Sequence, residues 1–511
     1  MIAMGKRREE RQKEKKTKNI ADCTLGGTAS PNITSLQDLS IDTIQTLLFR
    51  NRYAQVLVLL TFIGLVLRLY NLGFNSIWLD EASTYGIAKG SFLEIWQVTA
   101  GGEFNPPLFH WAEHVMLVFG TSEFVLRFIP ALLGVLTIPV MYWVGTEFLD
   151  RNAGIIAAAL MTFSPFHIFY SQEARAYTMM LFFVALAILF YLKALKTDST
   201  RTWVVFGVCS ALAFWSHFYS FVIIAALIMV TLTVRAGTIA KNVRALLPLA
   251  FGVIAFIVAC FPLILVTVRL FITRTSSAPT FGIQGIGIIG ETLRQISGFS
   301  DLPFYTLLCL FALGCVVLLV SDRNKAVFLI SILVFSFVIS FVLSFKMPMI
   351  PRYLIFLLPV YFVGIAASYR LMYRVIQTPA VVYGLMVLCI LVSTPMLASY
   401  YSGLSKDDWR GFAGRVGSVT HHGDMVVLVP GYMSQPLNYY YSNATDGTFE
   451  SGAYTGDELS ALYAGKGNST MYLVVTNDIA AANPKGDAVA WLQNHTQKIV
   501  QQDGIFLLVA Q

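Results

Sequence analysis

Residues 127–148 read RFIPALLGVLTIPVMYWVGTEF, and only Arg127 and Glu147 in this run carry a charge. A helix of about 20 apolar residues is long enough to cross the hydrocarbon layer of a bilayer. The run therefore predicts a membrane-spanning helix. Ten further apolar runs bring the predicted total to eleven spans, and they lie near residues 54–72, 153–170, 176–195, 202–217, 218–234, 246–271, 304–320, 326–345, 352–368 and 380–398.

The composition of the whole chain agrees with this pattern. Of its 511 residues, 56% are hydrophobic and only 13% are charged, and the mean hydropathy is +0.65. A soluble domain carries about 25% charged residues, so an ordinary water-soluble enzyme is excluded. Aromatic residues make up 14% of the chain, which excludes disorder for most of it.

The N-terminal tail decides the predicted orientation. Residues 6–18, KRREERQKEKKTK, are strongly basic. Nucleic-acid binding is one interpretation of such a tail, but a cytoplasmic anchor obeying the positive-inside rule fits a membrane protein better. We therefore expect residues 1–50 to form a cytoplasmic, largely disordered tail. The predicted inner loops are then the basic ones, with Arg151, Lys196, Arg201, Arg235, Lys241, Arg244, Arg323, Lys325, Arg370 and Arg374.

One short segment is left out of the span count. The stretch at 107–119 is amphipathic and carries Glu113 and two histidines. It is too short to cross the membrane, so it predicts a helix lying in the interface. Eleven spans with a cytoplasmic N-terminus place the C-terminus outside the cell.

The last hundred residues have a different character. VVLVP (426–430), MYLVV (471–475) and IFLLV (505–509) predict buried strands, and DELSALYAG and AVAWLQNH predict helices between them. Outside placement would permit glycosylation of the sequons at Asn443, Asn468 and Asn494. The predicted fold class is thus an all-α polytopic membrane protein over 51–400, whose first outer loop is 73–126, with a small extracytoplasmic α/β domain over 401–511.

Cysteine usage gives no sign of a metal centre or a disulfide framework. None of the six cysteines lies beyond Cys389, and the chain contains no CxxC pair. A thiol metal site is therefore not expected. Binding of a divalent metal by other side chains stays open.

The first outer loop contains adjacent carboxylates in NSIWLDEASTY, at Asp80 and Glu81. In a catalytic interpretation, one carboxylate takes a proton from an acceptor as general base, and the other orients the acceptor or helps to hold a cation. In a structural interpretation, Asp80 caps a short helix, EASTYGIA. The two roles are compatible.

Further polar residues follow in the same loop. Glu103 and Asn105 precede a double proline, and His110 comes soon after it. Pro107 fits the first turn of a helix that Asn105 could cap. The functional alternative places Glu103 and His110 at the rim of one outer cavity.

Cations gather at the predicted outer ends of several spans. Arg127 opens one span, Arg175 lies in the short link 171–177, and Arg352 opens another span near Lys346. Snorkelling arginines and solvated turns are the structural alternative, but a guanidinium is suited to a phosphate. Four such cations favour a lipid phosphate, and we expect the acid pair and Arg127 to share one water-facing pocket. The same segments add Gln172, Glu173, Tyr177 and Tyr353 as cavity candidates, with His217 at a further outer turn.

These elements, in this order, resemble the GT-C membrane glycosyltransferases, and most closely the family-39-like protein O-mannosyltransferases and the lipid A aminoarabinose transferases. The resemblance rests on the Asp80–Glu81 pair, Pro-Pro-Leu at 106–108, LRFIPALLGVLTIP at 126–139, SQEARAY at 171–177 and PRYL at 351–354. The ending from KDDWRGFAGRV (406–416) is similar to the outer domain of bacterial and archaeal members.

The resemblance implies transfer of a sugar from a polyprenyl-phosphate carrier to a protein, lipid or glycan acceptor at the outer leaflet, with inversion at the anomeric carbon. By position, Asp80 would be the general base and Glu81 would assist it. Arg127 would hold the carrier phosphate, with Arg175 and Arg352 as further candidates. The lipid A relatives have a lysine where this chain has Asn105.

Two other classes compete with this interpretation. A transporter or lipid flippase would place charges in the middle of its spans and carry paired broken helices, whereas here the charges gather at the outer span ends. A non-catalytic scaffold or sugar-binding membrane protein is the third class. None of these interpretations involves nucleic acid as a partner.

Overall fold

A computed structural model describes residues 51–276, 278–442 and 447–511. The basic tail over 1–50 and the sequon at Asn443 lie outside these residues. Up to residue 401 the described chain is mainly helical. Its helices are α1 (Arg52–Leu69), α2 (Leu79–Ala88), α3 (Phe92–Gly101), α4 (Pro107–Met116), α5 (Glu123–Phe148), α6 (Arg151–Phe163), α7 (Pro165–Ser171), α8 (Tyr177–Thr197), α9 (Thr200–Ser216), α10 (Ser220–Val234), α11 (Ala236–Lys241), α12 (Leu247–Arg274), α13 (Gly287–Ile296), α14 (Asp301–Ser321), α15 (Arg323–Leu343), α16 (Leu358–Ala367), α17 (Tyr369–Ile376) and α18 (Ala380–Tyr401), and 3-10 turns cover Leu117–Phe119, Val243–Leu246 and Pro351–Leu357.

Each of the eleven predicted spans coincides with helical structure. By length and composition, eight helical segments of the described chain could cross a membrane, or nine if the bent pair α6–α7 is one span. The two remaining runs form α9 and α10, which have 17 and 15 residues. At 1.5 Å per residue these two helices are somewhat shorter than a hydrocarbon layer of about 30 Å.

The bend between α6 and α7 brings the 171–177 segment to the site described below. The two helices meet at 57°, because Pro165 has no backbone N–H to continue the helix and disfavours helical geometry at Ser164. The break leaves carbonyl groups without helical partners. The buried Arg68 of α1 donates to two of them, at 2.9 Å to Met161 and 3.3 Å to Thr162.

The first outer loop folds into the short helices α2, α3 and α4. Trp78, not Asp80, occupies the N-cap position of α2, so the predicted capping role of Asp80 is wrong and its side chain lies in the first turn. Pro107 begins α4 as predicted, but Pro106 occupies the N-cap position, so Asn105 is not the cap. The stretch predicted to lie in the interface is helical from Pro107 to Phe119 and buries Phe109, His110 and Glu113.

The C-terminal residues form a five-stranded sheet covered by helices. The strands are β1 (Met425–Val429), β2 (Phe449–Gly452), β3 (Met471–Thr476), β4 (Thr496–Gln502) and β5 (Ile505–Ala510), and the helices are α19 (Trp409–Val419), α20 (Ser434–Tyr440), α21 (Gly456–Gly465), α22 (Ile479–Ala482) and α23 (Asp487–His495).

The sheet order is β2-β1-β3-β5-β4, in which β1 is parallel to β2 and β3, while β5 is antiparallel to β3 and β4. The three apolar strands, β1, β3 and β5, were predicted and form the centre of the sheet. The edge strands β2 and β4 read FESG and TQKIVQQ. They were missed because edge strands bury little side-chain surface and therefore carry no apolar run.

The sheet unit rests on the first outer loop. The hydroxyl of Ser76 donates to Asp408 at 3.0 Å, the backbone N–H of Ile77 donates to the Tyr440 hydroxyl at 2.7 Å, and Arg410 pairs with Glu123 at 2.6 Å. This docking places the chain entering the sheet unit, from residue 402 onwards, directly beside the acid pair.

Candidate active site

The two adjacent acids of α2 point into different environments. The Asp80 side chain is 25% exposed, whereas that of Glu81 is fully buried. Successive residues of a helix are about 100° apart around its axis, so one carboxylate faces the protein interior while its neighbour faces outward. Only Asp80 is therefore open to a substrate.

Glu81 forms a buried ion pair with Arg127. The guanidinium donates to both carboxylate oxygens, at 2.8 and 2.7 Å, and to the backbone carbonyls of Leu72, Asn75 and Ser76. These bonds use all five guanidinium N–H groups, and Arg127 is only 1% exposed. The expected proximity of Arg127 to the acid pair is correct, but a water-facing position for this arginine is not. Arg127 fixes the first outer loop and has no free donor for a phosphate.

Lys406 completes the buried network and was missed as a site residue. Its ammonium lies 3.1 Å from Glu81 and 3.4 Å from Glu173, and its side chain is 7% exposed. The rings of Trp78 and Phe169 lie 5.7 and 6.0 Å from it. Lys406 is 325 residues from Glu81 in sequence, so no local pattern linked the two. The KDDWR motif, quoted above only as a family likeness, was the available signal.

Burial and charge act in opposite directions on the buried acids. Burial by itself would raise the pKa of the Glu81 carboxyl, but the charges of Arg127 and Lys406, with hydrogen bonds from Arg127 and the Ala174 N–H, lower that pKa to about 2. Burial raises the pKa of Glu173, and Lys406 only partly opposes this. Glu81 is thus a permanent anion at neutral pH, which suits a structural brace and not a base that gains and loses a proton.

The depressed pKa of Glu81 predicts an acid-labile fold. A carboxyl whose pKa falls from 4.5 to about 2 on folding stabilises the protein fully above pH 4.5 and loses this contribution as the pH falls towards 2. We expect the unfolding temperature in detergent to drop over this window, with a shallower drop in Glu81→Gln. Equal slopes in the two proteins would contradict the prediction.

Two arginines hold the accessible Asp80 carboxylate. Its Oδ2 atom lies 3.1 Å from Arg352 and 4.0 Å from Arg175. Arg175 also donates to the Asp80 carbonyl and to the Thr84 hydroxyl, at 3.0 and 3.1 Å. The Arg352 guanidinium lies 5.3 Å from the ring of Trp78. An accessible acid and two cations, 23% and 11% exposed, therefore share one polar cluster.

A cavity of about 760 Å³ opens beside this cluster, with Arg352 in its wall. Its other lining residues are Tyr170, Phe281, Gly282, Ile283, Gly287, Glu291, Gln295, Ile350 and Pro351. A second, small cavity is lined by Asn105, His217, Arg274 and Tyr353, among others. The consecutive residues of the PRYL element therefore face two different spaces.

Some of the other predicted site residues lie in this polar cluster, and others make contacts that hold the surrounding helices in place. Tyr177 is buried, and Arg175 and Arg352 lie 6.0 and 5.8 Å from its ring. Gln172 has a structural role, because its amide donates to the last carbonyls of α1.

Glu103 accepts a hydrogen bond from Asn105 at 3.3 Å. His110 is buried. Lys346 is exposed.

The described ranges contain no group of three or more His, Cys, Asp or Glu side chains arranged to hold a metal ion. The Asp80 carboxylate faces two guanidinium groups instead of further acidic ligands. These neighbours suit an anionic ligand better than a divalent cation.

Comparison with known proteins gives one family match and several structural ones. Residues 105–265 match the family model described as dolichyl-phosphate-mannose-protein mannosyltransferase. An uncharacterized protein from Aquifex aeolicus is 28% identical over 132 residues. That alignment covers 24% of this chain and 26% of the relative, so the chain matches about a quarter of that protein's length.

The structural matches extend over almost the whole chain. ArnT from Cupriavidus metallidurans, bound to undecaprenyl phosphate, gives a TM-score of 0.55 at 14% identity, covering 89% of this chain and 97% of that one. AglB, an archaeal oligosaccharyltransferase from Archaeoglobus fulgidus in complex with an inhibitory peptide and a dolichol-phosphate, gives 0.52 at 14% identity, covering 90% and 74%.

These matches confirm the predicted fold class and the predicted resemblance, and they make this an integral, multi-pass membrane protein. They favour the interpretation of this chain as a transferase that uses a lipid-linked sugar over its interpretation as a transporter. The chain therefore shares the GT-C fold of these structures, and its residues 105–265 are similar in sequence to the dolichyl-phosphate-mannose-protein mannosyltransferase family.

Proposed function

We propose that this protein transfers a sugar from a polyprenyl-phosphate carrier to an acceptor at the outer face of the membrane. The proposal rests on the accessible Asp80 carboxylate, which is held by Arg352 and Arg175, together with the 760 Å³ cavity that has Arg352 in its wall. A base and two cations at one point are what this displacement requires. Phosphate is already a good leaving group, so the protein needs only to activate the acceptor and stabilise the departing charge.

Each charged group then has its own role. Asp80 accepts the proton of the acceptor hydroxyl or amine as that atom attacks the anomeric carbon. The carbon–oxygen bond to the carrier breaks on the opposite face, and its electron pair leaves with the polyprenyl phosphate. Arg352 and Arg175 bind that phosphate. Glu81, Arg127 and Lys406 hold the loop that carries Asp80, so we propose positioning roles for them and not contact with the substrate.

The molecules bound to the structural relatives support the proposed chemical classes of the donor and the acceptor. One relative binds undecaprenyl phosphate, and another binds a dolichol-phosphate and an inhibitory peptide. We therefore propose a polyprenyl-phosphate sugar as donor and favour a protein acceptor, with lipid and glycan acceptors as the alternatives.

The orientation and domain division are part of the same proposal. Residues 51–400 would form the membrane-spanning catalytic domain, and residues 401–511 would lie outside the cell above it. The basic loops predicted to be cytoplasmic support this orientation under the positive-inside rule. Labelling of single cysteines introduced at Asn468 and Arg201 in intact cells tests it, and labelling only of the Arg201 position from outside would overturn it.

Incubation of the purified protein with a panel of polyprenyl-phosphate sugars tests the function. We expect one donor to release free polyprenyl phosphate, faster in the presence of acceptor peptides. Movement of a lipid between leaflets in vesicles, without cleavage of any donor, would support the flippase class instead.

Arginine substitutions test the phosphate site. We expect Arg352→Gln and Arg175→Gln each to weaken binding of polyprenyl phosphate by about 10–100-fold, because a charge-assisted hydrogen bond contributes about 1.5–3 kcal/mol. Titration with the fluorescent carrier in detergent measures the change. Arg294→Gln is the matched control, since Arg294 pairs with Asp301 at the surface with 47% exposure. Equal affinities in all three variants would exclude this phosphate site.

A further inference from the structure

A further cavity with a cationic mouth, separate from the two described at the candidate active site, lies at the opposite end of the helix bundle. Helix α5 carries Arg127 of the site in its second turn and ends at Phe148, about 30 Å further along at 1.5 Å per residue. Helix α8 likewise begins beside the site and ends at Thr197, and α15 begins at this far end, at Arg323. A cavity of about 460 Å³ opens where these three helix ends diverge.

Basic side chains surround the mouth of this cavity. Lys196, Arg323 and Lys325 line it together with one acid, Glu147. Lys196 pairs with Glu147 at 2.9 Å, and Lys325 pairs with the adjacent Asp322 at 3.4 Å. Arg323 is exposed, and no ion pair joins it to an acid in the described ranges. Three cations thus face two carboxylates, and the mouth keeps a net positive charge.

The beginning of α15 adds to this positive potential. The helix has 21 residues, and its first turn, at Arg323 and Asn324, forms part of the cavity wall. The unpaired N–H groups and the dipole at a helix N-terminus favour an anion, and a phosphate above all. Asp322 caps only the N–H of Lys325, at 3.3 Å.

The interior of the cavity is apolar and continues towards the middle of the membrane layer. Phe148, Leu192 and Phe328 line both the cavity and a narrow slot beyond it. Every residue that lines the slot is apolar, and the slot itself has a volume of only about 20 Å³. The space therefore has a cationic entrance at the level of the helix ends and a hydrocarbon-like extension below it.

We infer that this crevice is a binding site for an anionic glycerophospholipid. The phosphate of the headgroup lies among Lys196, Arg323 and Lys325 at the start of α15, and one acyl chain lies against the apolar residues of the 460 Å³ cavity, among them Phe148, Leu192 and Phe328. Basic pockets between spanning helices bind acidic headgroups in this way. A soluble phosphate would leave the apolar part of the 460 Å³ cavity empty, and a zwitterionic lipid would not match the net positive charge. The site is separate from sugar transfer and does not depend on the proposed function.

Lipid add-back to the delipidated full-length protein tests the inference, with native mass spectrometry as the readout. Phosphatidylglycerol and phosphatidylcholine with identical acyl chains are compared, and we expect the anionic lipid to bind at least tenfold more tightly. The variants Arg323→Gln and Lys325→Gln should reduce this preference severalfold, whereas Arg201→Gln, a charge removal at the same end of the bundle, should not. Equal binding of the two lipids by the wild-type protein would overturn the inference.

A substitution in the slot separates a lipid from a free anion. Leu192→Phe narrows the passage shared by the cavity and the slot, so we expect it to weaken phosphatidylglycerol binding severalfold. Unchanged binding in this variant would show that no acyl chain enters, as would competition by inorganic phosphate at millimolar concentration. Displacement of phosphatidylglycerol by polyprenyl phosphate at equal concentration would also overturn the assignment, in favour of a carrier-lipid site.

Discussion

Replacing Asp80 by asparagine is expected to lower the rate of sugar transfer by about 10²–10⁴-fold, which is the usual contribution of a general base. The amide has nearly the same shape as the carboxylate but cannot accept the acceptor's proton. The carrier should still bind, and somewhat more tightly, because the change removes an anion that competes with phosphate for Arg352 and Arg175. Loss of turnover with retained binding is therefore the expected pattern.

Two measurements decide this prediction. Release of polyprenyl phosphate gives the turnover, and titration with the carrier gives the affinity. Asp301→Asn is the matched control, because that carboxylate is 71% exposed in a surface pair with Arg294, and it should keep wild-type turnover. If Asp80→Asn also turns over at the wild-type rate, Asp80 is not the base. If it loses carrier binding instead, its role is in assembling the arginine pair.

Replacing Arg127 by methionine is expected to destabilise the protein by about 3–5 kcal/mol, the usual cost of removing one partner from a buried ion pair. Glu81 would remain fully buried with only Lys406 to compensate its charge, and three backbone carbonyls would lose their donor. The first outer loop, which carries Asp80, should loosen as a result. Turnover should then fall together with stability.

Thermal and denaturant unfolding in detergent measure the loss. The surface pair Arg294–Asp301, with 47% and 71% exposure, supplies the control, and Arg294→Met should cost about 1 kcal/mol or less. The double variant Glu81→Gln/Arg127→Met should recover part of the stability, because no uncompensated charge then remains buried. Equal losses in Arg127→Met and Arg294→Met would refute a bracing role for the Glu81–Arg127 pair.

Local sequence was sufficient to predict most of the fold, but not which residues of the site are buried and which are accessible. The apolar runs predicted the helices and the central strands, since burial in lipid or between layers requires continuous apolar surface. The same reasoning could not predict that Asp80 is accessible and Glu81 buried. The two acids are adjacent in sequence, and only the orientation of their helix places one side chain in the interior. Arg127 was placed beside the acid pair correctly, yet its burial became evident only with the carbonyl groups that surround it.

Lys406 is the clearest example of a site residue that local sequence could not identify. It reaches Glu81 and Glu173 only because the C-terminal sheet unit docks on the first outer loop, and no pattern within one segment encodes such a contact.

Residue order alone is enough to predict a multi-span membrane protein, with a mixed α/β unit after the last span and an acid pair followed by basic residues at span ends. Apolar runs and local periodicity carry that information, because each reflects the environment of a single segment. The folded chain alone shows that Asp80 is accessible while Glu81 is buried, that Arg175 and Arg352 are partly exposed beside Asp80, and that a separate cationic crevice forms at the far helix ends. Those properties depend on burial and pairing between residues far apart in the chain, and they exist only once the segments are packed.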